Sequence, residues 1–121
     1  MEILMADELT PEMTSALNQL QGELQAVQNA FNKLDAGNAF ESPNQREQMA
    51  EAVKVALMNF VRAKNRILGE SEATVANLIA TAGQARKDIA TALEDLQDLK
   101  STLNTITKAV NTVASVVATL A

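Results

Sequence analysis

The 121 residues include no cysteine, no histidine, no tryptophan and no tyrosine, and the aromatics reduce to Phe31, Phe40 and Phe60. Each absence excludes something. Without cysteine there is no disulfide framework, no thiol nucleophile and no thiolate metal site. Without histidine there is no imidazole acid, base or metal ligand. A chain without cysteine survives in any redox compartment, so localisation is unknown on this ground. Glycine and proline are also scarce, with four and two copies. Long stretches therefore run without a helix breaker.

Positive charge is in deficit. The formal net charge is -5, and the sequence pI is near 4.6. A protein that neutralises phosphates needs the reverse balance, so no nucleic-acid partner is expected. The one basic run, Lys54, Arg62, Lys64 and Arg66, reads as the counterpart of Asp7, Glu8, Glu12, Glu70 and Glu72 across a helix hairpin. No secretory signal is evident, because Glu2 stands where basic residues are wanted and the apolar start is short. No membrane span is evident either. The most apolar part, from Ile106 to Ala121, is interrupted by polar residues and falls short of the ~20 apolar positions required. The protein would be cytoplasmic, or exported by a route that reads no such signal.

What is present is heptad phase. From Val75 to Leu120 one seam runs Val75, Leu78, Ala82, Ala85, Ile89, Ala92, Leu96, Leu99, Leu103, Ile106, Val110, Val113, Val117 and Leu120. Its steps alternate three and four, as a helix buried along one side requires. Two shorter seams precede it. Met13, Leu17, Leu20, Leu24, Val27, Phe31 and Leu34 form the first, and Met49, Val53, Ala56, Phe60, Ala63 and Ile67 the second. Thr10–Pro11, Ser42–Pro43 and Ser71 supply the starts, because a hydroxyl caps the free N–H groups and proline at the first position loses nothing. Gln45 is placed to reach back to Ser42. Gly37 and Gly69 supply left-handed stops.

The expected fold is all-α and a single domain over 1–121. An antiparallel hairpin of helices about 11–36 and 43–68 packs on a long C-terminal helix, 72–120, as a three-helix coiled-coil-like bundle. The third helix alone would be roughly 70 Å long. The alternative is a four-helix up-down bundle with a break near Lys100. Unbroken phase favours one helix, since a loop normally resets it. In the hairpin alignment Phe60 sits above Ala80–Ala82 and Phe31 level with Ala92. Lys33 and Arg46 then lie level with Glu94, Asp95 and Asp98.

This arrangement leaves two surfaces uncovered. Beyond about Asp98 nothing remains to bury Leu103, Ile106, Val110, Val113, Val117 and Leu120. Helix two is apolar over too wide an arc, with Val55, Leu57, Met58 and Val61 outside its seam. Those six aliphatics, with Val55 and Met58, are the expected partner-binding residues. The polar side of the last segment carries Ser101, Thr102, Asn104, Thr105, Thr107, Asn111, Thr112, Ser115 and Thr119, and after Lys100 its one charge is Lys108.

No catalytic group, metal site, cofactor or small-molecule substrate is expected. Glu94 and Asp98 stand one turn apart, but carboxylate di-metal bundles add an i, i+3 histidine that is missing here. No glycine-rich loop cradles a phosphate. In composition, the helices rich in Ala, Asn, Gln and Thr resemble the helical parts of exported bacterial filament and secretion-apparatus subunits. That resemblance rests on no motif and transfers no residue. The expected function is a non-enzymatic assembly protein, a homo-oligomer or the binder of a helical partner. The alternative is membrane action through 101–121, which lacks the basic face and aromatic anchors of interfacial helices.

Overall fold

The computed structural model describes residues 9–94 and 98–120. Within them the chain is all-helical: α1 is Pro11–Ala36, α2 Pro43–Arg66, α3 Glu72–Glu94 and α4 Leu99–Val117, with no strand. Asp7, Glu8, Asp95 and Leu96, which entered the charge and seam arguments, lie outside the described residues, as do the first five residues and Ala121.

The helix starts follow local chemistry. Thr10 Oγ1 accepts from the Met13 N–H at 3.1 Å, Ser42 Oγ from Gln45 at 3.3 Å and Ser71 Oγ from Thr74 at 3.2 Å. The Gln45 side chain reaches back one residue further than expected, and its Oε1 accepts from the Glu41 N–H at 2.7 Å. Gly69 takes the left-handed stop, at φ 88. Gly37 does not, since its φ is -87 and the positive φ of 52 falls to Asn38. Asparagine tolerates that region better than other residues with a Cβ. The shift lets Ala39 N–H donate to the Leu34 carbonyl at 2.9 Å and close the helix end.

The expected third helix, 72–120, is two helices. α3 ends at Glu94, and Asp98, at φ -136 and ψ 106, starts α4 as its N-cap. Its carboxylate accepts from the Lys100 N–H at 3.1 Å and from the Ser101 hydroxyl at 2.9 Å. Magnitudes explain the break. Interrupting a helix forfeits about four backbone hydrogen bonds, each worth about 1 kcal/mol net. Folding back buries six large aliphatics at about 1.5–3 kcal/mol each. Burial wins by a factor of two or more. The heptad phase survives in the sequence because four residues, close to one period of the repeat, separate Glu94 from Leu99.

The four helices form a square. α1 packs on α2 and α3, and α4 packs on the same two. α1 and α3 run parallel: Gln19 faces Gly83, and three residues on, Gly22 faces Arg86. α2 and α4 also run parallel, with Gln48 donating to Asn104 and Thr107 at 3.2 Å and Asn59 donating to the Val110 carbonyl at 3.3 Å. α2 and α3, though consecutive, are not packed face to face. That corrects the expected hairpin alignment, because α4 occupies the place beside α2 that α3 was expected to take.

The core seam of α3 is as expected through Ile89, and Ala92 is half-buried. In α2 the buried line is Met49, Ala52, Ala56, Asn59, Ala63 and Ile67, while Val53 and Phe60 sit half-buried beside it. In α1, Glu23 and Ala30 are buried where Leu24 and Phe31 were expected. Most seam positions hold in both helices, and the departures are shifts of one residue: Glu23 for Leu24 and Ala30 for Phe31 in α1, Ala52 for Val53 and Asn59 for Phe60 in α2. At all of these but Glu23 the smaller side chain faces the packed interior and the larger one flanks it. Phe31 instead closes the α1–α2 turn, 5.8 Å from Phe40, with the Arg46 guanidinium 5.0 Å above its ring. Arg46 pairs with Asp35 at 3.0 Å, not with the α3 acids.

Candidate interaction surface and a buried carboxyl

The six C-terminal aliphatics occupy the core. Leu103, Ile106, Val110, Val113, Val117 and Leu120 are each at most 4% exposed within the single chain. They were expected to await a partner because α4 was read as an extension of α3. Folded back, they face α2 and α3. The neutral polar side of α4 also has an internal account. Thr112, Ser115 and Thr119 hydroxyls donate to carbonyls of their own helix, and Asn104 and Thr107 receive Gln48 of α2.

The other two expected contact residues, both on α2, part company. Val55 is half-buried and packs against the core. Met58 is 40% exposed, in the company of Leu57, Val61 and, just past the helix end, Leu68, at 40–45%. With the buried line of α2 on one side, Lys54, Met58, Val61 and Asn65 project from the opposite side at steps of four and three. This is a second heptad line, turned outward. It is mixed in character: Glu47 and Glu51 lie at its N-terminal end, apolar residues in the middle, and Arg62, Lys64 and Arg66 at its C-terminal end, all exposed. Clustered exposed aliphatics on one helix face mark an interaction surface more often than scattered ones do.

A polar feature that sequence reasoning missed lies at the bundle centre. Glu23 of α1 is 0% exposed and Asn59 of α2 is 2% exposed. Burial pushes the Glu23 carboxyl up from 4.5 to about 8, and the neighbouring Asn59 amide pulls it partway back. That amide sends its hydrogen bond to the Val110 carbonyl, and both Glu23 oxygens stay without a geometric partner. The carboxyl is therefore neutral at pH 7, which avoids the far larger cost of a buried charge. Its signal was available: Glu23 stands three residues after Leu20 and four before Val27, on the core spacing. Asn59 stands likewise between Ala56 and Ala63.

An open groove of about 790 Å³ lies between α1 and α3. Arg86 crosses it against Gly22 and donates to Gln19 Oε1 at 2.9 Å. Among the described residues no three acids converge as a metal site would require, and no helix is long and apolar enough to cross a membrane. The chain matches no protein-family model, and neither a curated protein nor a solved structure is significantly similar to it.

Proposed function

We propose that this is a non-enzymatic interaction protein, a helical module that carries a docking face on α2. The observation that carries the reading is the outward heptad line of α2, with Met58 and Val61 on it and Leu57 beside it exposed together on a helix whose opposite side is already buried. A helix apolar on two sides has one side more than its own bundle uses. The natural ligand of such a line is another amphipathic helix, because knobs at three- and four-residue steps seat in the holes of a facing helix.

A photo-crosslinking amino acid tests this. Placed at Met58, in cells expressing the chain, it should give discrete protein adducts. Placed at Gln84, exposed on α3, it should give none. Val61→Glu should remove the adducts at position 58 without altering the fold. Equal labelling from both positions, or adducts indifferent to Val61→Glu, would overturn the reading.

A further inference from the structure

Building on that reading, we infer that the partner helix is α2 of a second copy, laid antiparallel across a two-fold axis near Leu57. The argument is one of self-complementarity. A two-fold interface puts the same surface on both sides, so residue i meets j and j meets i. A face serves for this when its two halves are complementary about its own midpoint. Glu51 and Arg62 satisfy that condition. Eleven residues separate them, about three helical turns, so they lie on the same edge of the outer face. Along the axis their midpoint is level with Leu57, and on their own edge it falls between Val55 and Met58. A two-fold through that point, perpendicular to the helix, places each Glu51 opposite the partner's Arg62, twice over. Leu57, Met58 and Val61 lie, along the axis, between the two charged contacts.

The charges are also unsettled within the monomer. Neither Glu51 nor Arg62 has an ion-pair partner among the described residues. Glu47 and Glu51 are four residues apart on one helix, as are Arg62 and Arg66. Like charges at that spacing are mildly unfavourable. The helix dipole does not account for the segregation, since its influence fades within the first and last turns. Glu51 is well inside α2. An antiparallel copy would set each acidic pair beside a basic pair. The face is small, about 30 Å long by 10 Å wide, or roughly 600 Å² over both copies, which is below a stable interface and in the range of weak, transient contacts. The pairing is therefore weak and concentration-dependent.

Sedimentation equilibrium on the full chain, from about 1 to 500 µM at low and high salt, tests this. The expected result is a reversible dimer, twice 12.9 kDa, weakened by salt. Glu51→Arg and Arg62→Glu should each raise the dissociation constant at least tenfold. Either the double variant, or an equimolar mixture of the two singles, should return it to within about threefold of wild type. Both residues are exposed, and each variant's melting curve checks that the fold is intact. A monomer at every concentration overturns the inference. So does a dimer in which the paired reversals fail to rescue. The broader reading fails separately, when a dimer forms and Val61→Glu leaves its affinity unchanged, because the contact then lies off α2.

Discussion

The last helix and the second helix both carry apolar residues in excess of what a three-helix reading could bury, and their fates differ. In α4 the excess is a single clean seam, opposed by a neutral polar side. The chain folds it inward, and six aliphatics disappear into the core. In α2 the excess lies on the side opposite the seam, so no rotation hides both. The comparison teaches that a tidy amphipathic stripe is an instruction to fold, whatever its length. Apolar residues left after one stripe has been satisfied are the better sign of a contact surface.

The largest effect that would break this comparison is a charge placed in each region. Ile106→Asp puts a carboxylate where exposure is 0%. It should unfold the bundle, at a cost of more than about 4 kcal/mol, because an unpaired buried charge is among the costliest changes known. Val61→Asp, on the exposed side of α2, should stay within about 0.5 kcal/mol. Urea titrations followed by circular dichroism read both. Helix retained at full strength in Ile106→Asp would mean the α4 seam is not core.

Next in size is the central carboxyl. Below pH 4.5 Glu23 is protonated in the folded and unfolded chain alike, and its contribution is fully present. Between 4.5 and about 8 the unfolded chain ionises while the folded one holds its proton, so stability falls as pH rises. The slope is at most about 1.4 kcal/mol per pH unit. The loss is complete once pH passes the folded value. Glu23→Gln should remove this component. Its melting temperature relative to wild type should climb from pH 4.5 to 8.5 and then level off. A constant difference across that range would mean Glu23 is not held neutral in the core. Glu23→Leu, which removes the two unpaired carboxyl oxygens, should be more stable than wild type at pH 7.

A smaller effect concerns the cap that makes α4 a separate helix. Asp98→Ala removes the acceptor for Lys100 N–H and Ser101 hydroxyl. It should cost about 1 kcal/mol in a melting experiment. A stabilised variant would mean that the turn, rather than a continuous helix, is the strained state. Smallest of all is Arg46→Ala. The Arg46–Asp35 pair holds the Asp35 carboxyl below its ordinary range but sits in solvent, 54% and 44% exposed. Its removal should change the melting temperature only slightly, and the part due to the ion pair should vanish in high salt while the part due to its contact with the Phe31 ring remains.

What the sequence by itself determined was local. Caps at Thr10, Ser42 and Ser71, the left-handed Gly69, the absence of strands and the α3 line through Ile89 follow from propensities and from a repeat that a helix alone satisfies. Only the tertiary structure decided where α3 stops. Heptad phase records which side of a helix is buried and not which direction it runs, so a break of four residues between Glu94 and Leu99 leaves no trace in it. The tertiary structure also decided that small residues, Glu23 and Asn59 take the seam centres while Phe31 and Phe60 are displaced to their edges. Size-ranked reading puts the largest apolar residue inside at every step, whereas close-packed helices take Leu20, Leu78 or Ile89 at some positions and only a smaller side chain such as Ala30 or Asn59 where a phenyl ring would stand.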